Sequence, residues 1–446
     1  MNKQIFNYAV YPSVVPADSE CNIVIHPLGE NTKFVANVNY TVEIRGVETF
    51  CNNYAELPWK WYNVTPNKDG DLVIRHRFEG EQRYALKLIR PEEDINATPY
   101  RDITNRGRRG DNKEAVLYVY SLKSDLYGQR GYKGELHCHT YESDGIQDVA
   151  HTVGNYRSAG YDFLAITDHY ITMSAEKAMA MPLAQASGMS LLLGEECHVP
   201  TEQIHAVHVG GNSSVNAYYR EHTESAVAEM ESIRSKLTAL PSNIDKTDYA
   251  WRVWIAEKAR EFGGLSILAH PHWIWFDTYF MASAITQQLI RDGVYDALDI
   301  TDQEADTTVS LWSEMRAQGY TIPVVGCSDS HESDTFDCNR PVRGGYTLAF
   351  AASNSCDDVI NAIRNGRSVA VNAVGIPERV QGPYRYVKFA RFLLDNYYPM
   401  YMRLCRGQGV LLADYGSENT PSPEILNEVQ ALKRRQDEFT HGFYGY

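Results

Sequence analysis

The chain has 446 residues, 43% hydrophobic and 22% charged, which is typical of a soluble globular protein with two or three domains. Its 57 acidic and 42 basic residues give a formal net charge of −15, which argues against a general binder of nucleic acid or of anionic membranes. The first eight residues lack a continuous apolar segment, and no stretch approaches the length of a membrane-spanning helix. Neither a signal peptide nor a transmembrane helix is therefore expected.

The eight cysteines are scattered along the chain and form no Cys-x-x-Cys pair. Several of them lie inside apolar segments, where a reduced cysteine packs as a small hydrophobic residue. Because disulfides belong mainly to oxidising compartments, this usage predicts reduced thiols and a cytoplasmic protein.

Residues 1–130 alternate between apolar and polar side chains, as in Asp71–Phe78 and Tyr84–Ile89, with turn-forming residues such as Asn67–Gly70 between them. A period of two is typical of strands that bury one face, and no long helical period interrupts it. Residues 1–130 are therefore predicted to form an accessory antiparallel β-sandwich domain.

From residue 134 the pattern changes to alternating strands and helices. His151–Gly160 is typical of a helix closed by a glycine, and Tyr161–Thr167 is a continuous apolar stretch of the kind a doubly buried parallel strand requires. Repeated βα units over residues 134–375 predict a parallel sheet, either open or closed into a barrel. Residues 376–446 are rich in aromatic residues and then charged and helical, which predicts a C-terminal extension.

The segment Gly134–Gly145 contains the first candidate metal ligands. His137 and His139 lie two positions apart in a predicted strand, so their imidazoles point to the same face while Cys138 points away. Asp144 follows in the turn that ends this segment. Two imidazoles and a carboxylate at the end of a strand suit a divalent metal.

Further polar residues fall at the ends of later predicted strands, where the loops of parallel α/β folds build active sites. They are Asp168, His169, Glu195, Glu196, His208, His270, His272, Asp329 and His331. Any one of them alone is typical of a buried core histidine or of a helix cap. Burying so many ionisable groups together is costly unless something pairs them, and divalent metals do so. The sequence therefore predicts a metal centre with more than one ion.

Six motifs resemble, in chain order, those of the polymerase and histidinol phosphatase (PHP) family: Gly134–Gly145, Thr167–His169, Gly194–Glu196, Val207–Gly210, Ala269–Pro271 and Ser328–His331. The resemblance covers residues 134–375. The sandwich in front of them looks like that of the carbaryl-hydrolase-like (CehA/McbA) branch. The resemblance implies an α/β fold, a distorted (β/α)7 TIM-like barrel, with two or three divalent ions that are usually zinc, manganese or iron.

The resemblance also implies three ligand sets, which are His137, His139, Asp329 and a bridging Glu196; Glu196, His208 and His270; and Asp144, His169 and His331. Glu196 is preferred to Glu195 because the family pattern is Gly-x-Glu and a strand puts only one of the two on the metal face. Some members have histidine at the position of Asp144, and a carboxylate there should favour manganese or iron, or weaken the third ion. Asp168 is expected to orient a ligand rather than to bind metal.

A metal-bridging water that loses a proton near neutral pH is the expected nucleophile. His205 or a metal-bound water is the expected proton donor to the leaving group. His205 and His272 are the second choice as metal ligands and are expected to face the substrate instead. These roles predict a phosphoesterase that acts on a small phosphorylated molecule. Arg343 is a candidate for binding the phosphate, although an exposed loop arginine explains it equally well.

Two alternatives remain open. The same centre could hydrolyse a carbamate, a carboxyl ester or an amide, and nearby aromatic residues would suit an apolar substrate: Tyr141, Tyr170, Trp273 and Trp275. The metals could instead stabilise a non-catalytic binding protein, although a structural site fills its coordination shell with protein ligands. Nucleic acid and membranes are not expected partners at this net charge.

Overall fold

The computed structural model describes residues 3–48, 59–94, 99–101, 109–111, 114–301, 304–333, 344–373 and 378–446. The chain forms two compact units, of which the first consists of Met1–Gln129, Arg391–Tyr401 and Arg435–Tyr446, and the second of Arg130–Ala390 and Met402–Arg434. Residues 376–446, expected as a single extension, are thus divided between the two units. None of the helices in the described part of the chain has both the length and the apolar character needed to span a bilayer.

The first unit is built mainly from short strands. They are β1 (Tyr8–Tyr11), β2 (Val14–Pro16), β3 (Ser19–Pro27), β4 (Tyr40–Gly46), β5 (Lys60–Val64), β6 (Leu72–Phe78), β7 (Arg83–Ile89), β8 (Pro99–Arg101), β9 (Arg109–Asp111) and β10 (Glu114–Leu122). One sheet has the order β1-β3-β6, a second has the order β2-β10-β7-β4-β5, and β8 pairs with β9. Two short 3₁₀ helices accompany them, at Lys3–Phe6 and Glu30–Thr32.

The two larger sheets of the first unit share one core. In β6, Leu72 and Ile74 are buried while Val73 is exposed, as expected for a strand that faces the core on one side. Ile74 belongs to the same hydrophobic cluster as Val42 and Leu86 of the other sheet. Two sheets that bury their inner faces against each other form a sandwich.

The second unit alternates strands and helices. Its strands are β11 (Arg130–Glu135), β12 (Phe163–Ala165), β13 (Ser190–Leu192), β14 (Gly194–Cys197), β15 (Ala206–Gly210), β16 (Gly264–Leu268), β17 (Ile274–Trp275), β18 (Thr278–Tyr279), β19 (Ala297–Asp299), β20 (Val324–Val325), β21 (Gly345–Ala351), β22 (Ser368–Asn372) and β23 (Arg379–Gln381). The helices of the chain are α1 (Val149–Ser158), α2 (Met173–Ala180), α3 (Pro182–Ser187), α4 (Val215–Glu221), α5 (Thr223–Lys236), α6 (Lys246–Glu261), α7 (Ser283–Arg291), α8 (Ala305–Ala317), α9 (Cys356–Arg364), α10 (Tyr384–Asn396), α11 (Tyr398–Tyr415) and α12 (Pro423–Tyr444).

The second unit agrees only in part with the distorted (β/α)7 barrel that the motif resemblance implied: it is a mixed α/β unit with two main sheets. Its described strands form a six-stranded sheet, β13-β12-β11-β21-β22-β23, a five-stranded sheet, β14-β15-β16-β19-β20, and the separate pair β17-β18. Only β11-β12-β13 and β16-β19-β20 run parallel, whereas the pairs β14-β15, β15-β16, β11-β21, β21-β22 and β22-β23 are antiparallel. The loop between β14 and β15 contains no helix, and such a short connection favours an antiparallel pair.

The two sheets of the second unit approach each other at the predicted ligands. Isolated bridges join Cys138 to Ser330 and His169 to Glu196, and these are the isolated bridges seen among the described residues. Below them, Leu136, Phe163 and Val207 belong to one buried cluster that draws on both sheets. This shared core holds the strand ends together, so the polar residues that follow the strands converge on one region.

Candidate metal centre

The side chains of the centre come from the ends of separate strands. His137 and His139 follow β11, His169 follows β12, Glu196 lies in β14, His270 follows β16, and Asp329 and His331 follow β20. The backbone is in the left-handed region at Tyr170 (φ 67°), His270 (φ 25°) and Asp329 (φ 47°). Non-glycine residues adopt this region at a cost of about 1–3 kcal/mol and do so mainly at functional sites.

His137 and His139 form a pair that two carboxylates flank. Their Nε2 atoms lie 3.2 Å apart, and Oδ1 of Asp329 lies 3.3 Å from the first and 3.1 Å from the second. Oε2 of Glu196 lies 3.3 and 3.5 Å from the same two nitrogens. Ligands about 2.1 Å from one ion are separated by roughly 3.0–3.4 Å at octahedral or tetrahedral angles. The separations of these donor atoms therefore fit a metal ion.

Glu196 lies close to more imidazole nitrogens than its carboxylate oxygens have lone pairs to accept hydrogen bonds. Besides the first pair, its Oε2 lies 3.0 Å from His169 Nδ1 and 3.7 Å from His198 Nε2. Its Oε1 lies 2.8 Å from His205 Nδ1 and 3.3 Å from His270 Nε2. Glu196 Oε2 and His205 Nδ1 are buried without hydrogen-bond geometry to any described residue. Close contact without hydrogen-bond geometry is what two ligands of one ion show, so this set suits shared divalent metals.

A third group lies nearer the solvent. Oδ2 of Asp144 lies 3.3 Å from His169 Nε2 and 3.2 Å from His331 Nε2, and Oδ1 lies 3.8 Å from His139 Nδ1. The side chains of Asp144 and His331 are 52% and 40% exposed, whereas those of His137 and His139 are buried. Nδ1 of His331 lies 3.0 Å from the carbonyl oxygen of Asp329, and donation to that carbonyl leaves its Nε2 free as a ligand atom.

The charges of the centre shift the pKa values of its members. Burial alone would lower the pKa of His137, but the carboxylates of Asp329 and Glu196 raise it to about 9. Burial raises the pKa of Glu196, yet His137 and the other imidazoles hold it well below its usual range. Burial lowers the pKa of His205 to about 4. Glu196 is thus ionised at neutral pH, and His139 and His205, whose pKa values burial lowers, can offer lone pairs, as metal ligands must.

Asp168 lies behind the metal-facing residues. Its carboxylate accepts hydrogen bonds from Thr140 N (2.7 Å), Thr140 Oγ1 (2.5 Å) and Ser143 Oγ (2.6 Å), and a further one from Ser174. Its Oδ1 is 4.0 Å from Nδ1 of His139. These contacts hold the loop that carries Asp144, so Asp168 lies where a residue that orients ligands would lie; that role remains a prediction.

The structure corrects the assignment of His208. In the β14-β15 pair, Glu195 is opposite His208 and Glu196 is opposite Val207, so His208 lies on the face that Glu196 does not use. Its Nδ1 lies 3.0 Å from Glu195 Oε1 and the ring is buried there. His205, two residues before Val207, lies on the metal side instead. The sequence-based choice of His208 differs from this arrangement because the strand pairing, which the sequence does not specify, decides which histidine shares the face of Glu196.

Two further residues were missed at the sequence level. His198 follows Glu196 by two positions and joins His169 and Glu196 in a group of potential metal ligands. Its spacing, identical to that of His137 and His139, was an available signal. Glu135 is buried and accepts hydrogen bonds from His137 N and Ser328 N, both 3.0 Å away, so it connects the ends of β11 and β20. Burial raises its pKa to about 7.

Other candidates lie apart from the centre. His272 is buried, and its Nδ1 lies 2.8 Å from Thr308 Oγ1, so the ring is held away from the metal-facing group. Arg343, the candidate for binding phosphate, lies outside the described residues.

An aromatic hairpin borders the centre. Trp273 lies with its ring centroid 5.6 Å from that of His205, and Trp275 lies 5.1 Å from Trp273. The hairpin formed by β17 and β18 exposes 50% of Trp275 and 85% of Phe276. Tyr170, 36% exposed, contacts His198 at 4.6 Å between centroids. Apolar surface of this kind beside a polar site is suited to recognising part of a ligand.

Comparisons with known proteins give distant structural resemblances. No protein-family model matches the chain, and no curated protein matches it. A two-domain protein from Bacteroides vulgatus containing a predicted PHP-like metal-dependent phosphoesterase aligns with a TM-score of 0.40 at 17% identity, over 55% of this chain and 66% of its own. The chain thus spans slightly less than two thirds of the length of that protein.

Two further solved structures align less closely. A proposed metal-dependent phosphoesterase from Bifidobacterium adolescentis has a TM-score of 0.33 at 17% identity, over 52% of this chain and 94% of its own. An amidohydrolase from Chromobacterium violaceum, with bound sulfate and no metal, has a TM-score of 0.29 at 17% identity, over 45% and 87%. At these TM-scores the alignments carry no functional inference, and function has to be inferred from the residues of the centre.

Proposed function

We propose that this protein is a metal-dependent hydrolase of the PHP type, related to its CehA/McbA-like branch, whose substrate is a small phosphoester. The observation that carries the proposal is the position of Glu196, whose two carboxylate oxygens lie within 3.7 Å of six imidazole nitrogens. A buried carboxylate among so many histidines matches the bridging ligand of a centre with several ions. Its chemistry suits zinc, manganese or iron.

We propose three ligand sets, which the distances support: His137, His139, Asp329 and Glu196; Glu196, His205 and His270; and Asp144, His169 and His331. His205 thereby replaces His208 in the second set. The third set is the most exposed to solvent and contains the fewest buried donors. We expect it to bind its ion most weakly.

Divalent ions in such a centre supply an acidified water and polarise the oxygen of the bond to be cleaved. The protein residues fix the positions of these ions and keep the ligands ionised or neutral as required. His205 belongs to the second proposed ligand set, so a more exposed group has to donate the proton to the leaving group. His331 is the exposed imidazole of the centre and fits this task if the third ion is absent. Asp168 and Glu135 hold the ligand-bearing loops, and Arg343 remains our candidate for binding the phosphate.

Hydrolysis of a carbamate, carboxyl ester or amide is the second candidate. The aromatic hairpin around Trp275 and Phe276 favours it, because such a surface would bind an apolar acyl or leaving group. Both candidates use the same ligand sets and differ in the charge of the substrate. The buried thiols of Cys138 and Cys197, which form no disulfide with another described residue, agree with a reducing cytoplasmic compartment, which we also propose.

Turnover of paired substrates separates the candidates. The metal-free protein, reloaded with Mn²⁺ or Zn²⁺, should hydrolyse p-nitrophenyl phosphate faster than p-nitrophenyl acetate. Glu196→Gln should lower kcat/KM by more than the roughly 10–100-fold that losing an outer partner costs, whereas Glu314→Gln, an exposed carboxylate on α8, should leave it unchanged. Esterase turnover without phosphatase turnover would favour the second candidate. Metal binding without either activity would favour a non-catalytic binding protein.

A further inference from the structure

His198 is the imidazole that the ligand sets leave unused. Its Nε2 lies 2.6 Å from Nδ1 of His169, and the ring centroids are 4.7 Å apart at 63°. The side chains of His198 and His169 are 3% and 19% exposed. A contact of 2.6 Å between two imidazole nitrogens is a hydrogen bond that contains one proton, so one ring donates and the other accepts.

The direction of this hydrogen bond follows from the other nitrogen of His169. Nε2 of His169 lies 3.3 Å from Asp144 and belongs to the third ligand set. A nitrogen that binds metal must carry a lone pair, which requires the proton of a neutral ring to be on Nδ1. Two acceptor atoms lie near that proton, which are Oε2 of Glu196 at 3.0 Å and Nε2 of His198, and of the two it is Nε2 of His198 that has hydrogen-bond geometry to Nδ1.

Glu196 is not available to accept this proton when the centre is loaded. Its Oε2 also lies 3.3 Å from His137 and 3.5 Å from His139, where it would complete the first ligand set. The lone pairs of the carboxylate are then directed at metal. His198 is the remaining acceptor in contact with Nδ1 of His169.

We propose that His198 is a positioning residue that holds His169 in the Nδ1–H tautomer, so that Nε2 of His169 faces the third ion. The inference rests on the proposed metal centre. The residue is itself fixed, since its backbone N donates to Asn216 Oδ1 at 3.1 Å and its ring packs against Tyr170 and His205 at 4.6 and 4.3 Å. Its own Nδ1 has no hydrogen-bond partner among the described residues, so the hydrogen-bond chain ends at His198.

Metal stoichiometry tests this role. Four proteins are dialysed against buffered free Mn²⁺ or Zn²⁺: wild type, His198→Leu, His198→Gln and a control. Bound metal per chain is then measured by inductively coupled plasma mass spectrometry. The His198→Leu variant should bind the most weakly held ion with about 10–100-fold lower affinity and should bind the other ions as wild type does. His198→Gln offers an acceptor oxygen and should restore most of the affinity. His272→Leu, which removes another buried imidazole, is the control and should bind metal as wild type does.

The outcomes separate this inference from the proposed function. Wild type that binds no metal would refute both, and wild type that binds no third ion would refute the inference alone. Equal metal content in wild type and His198→Leu, loss of every ion in that variant, or identical behaviour of the Leu and Gln variants would overturn the role of His198. If His198→Leu does not fold, ¹⁵N NMR of the histidines in loaded wild type decides, because an Nε2–H tautomer of His169 contradicts the proposal.

Discussion

His137 lies between two carboxylates in a region that excludes water, and this position determines how the centre responds to pH. Its pKa of about 9 lies above the ordinary histidine value, so the folded metal-free protein binds a proton that the unfolded chain releases at lower pH. The stability that this proton contributes is fully present below about pH 6.5 and is lost as the pH rises to about 9. A metal at His137 must displace the same proton.

Metal affinity should therefore rise with pH. Between pH 6.5 and 9, we expect the apparent affinity for Zn²⁺ to rise by up to about tenfold per unit, while the Tm of the metal-free protein falls. Competition with a chelator at each pH, together with thermal melts in EDTA, measures both quantities. The His137→Gln variant should lose the fall in Tm. An affinity independent of pH in this interval would contradict the assignment of His137.

The sequence predicted some candidate ligands from local spacing alone. The pairs His137/His139 and Asp329/His331 stand two residues apart just after β11 and β20, and the structure brings all four side chains into one group. The choice between His205 and His208 depends on which residue of β15 lies opposite Glu196. The residue pattern of each strand alone does not determine how two strands are aligned. His198 was missed because no motif required it.

Asn216, near the start of α4, supports β14, the strand that carries Glu196. Asn216 donates to the carbonyl oxygen of Glu196 at 3.0 Å and to Glu195 Oε2 at 2.9 Å, while its Oδ1 accepts from His198 N. One buried amide therefore satisfies the backbone on both sides of Cys197. Without it, these groups would remain buried and unpaired, because the strand is fully covered.

Removal of this amide should cost both stability and metal binding. Asn216→Leu should lower the free energy of unfolding by about 2–4 kcal/mol, since one or two buried polar groups lose their partners. It should also weaken metal binding by moving Glu196. Urea unfolding and metal competition measure the two effects, with Asn365→Leu, an exposed asparagine after α9, as the control. A variant with wild-type stability would show that water replaces the amide.

The two residues at the tip of the β17-β18 hairpin adopt left-handed backbone conformations, which most side chains disfavour. Phe276 and Asp277 have φ values of 46° and 65°, although a two-residue turn of this kind prefers Asn-Gly. Phe276 is 85% exposed, so packing does not explain its presence. Residues kept in a strained conformation at such a tip often serve a ligand.

Replacing Phe276 should separate stability from recognition. Phe276→Asn should raise the free energy of unfolding by about 1 kcal/mol, because asparagine tolerates the left-handed region. KM for apolar esters should rise while that for small phosphoesters stays the same. Tyr320→Asn, at another exposed aromatic, is the control and should give neither effect. A Tm lower than that of wild type would contradict the proposed strain.

At the level of the whole molecule, metal should stabilise only one of the two units. The candidate ligands all belong to the second unit, and the sandwich has its own core. A free metal concentration of 100 times the Kd adds about 2.7 kcal/mol to the stability of the folded state that binds the ion. Hydrogen exchange should therefore speed up in β11–β16 when EDTA is added, while β7 and β10 serve as the internal control. Equal changes in both units would contradict the assignment.

The sequence predicted more of the elements than of their arrangement. Strands such as β6 and helices such as α5 could be found because their patterns are local. Asp245 caps the N-terminus of α6, and its carboxylate accepts hydrogen bonds from Thr247 N and Asp248 N. The direction of β15 and the separation into two sheets depend on pairings between distant segments. Alternating strands and helices therefore predicted a parallel sheet where several pairs are antiparallel.

A slip of β14 by one position would exchange its two adjacent glutamates between the faces of the strand. Here the two glutamates of β14 face opposite ways, and Glu195 accepts hydrogen bonds from Ser214 Oγ, Val215 N and Asn216 Nδ2. These bonds secure the alignment of the strand as well as the start of α4. Glu195, which is not one of the proposed ligands, thus fixes the position of Glu196, which is one. A change in the length of the loop between β15 and α4 would therefore alter the candidate centre.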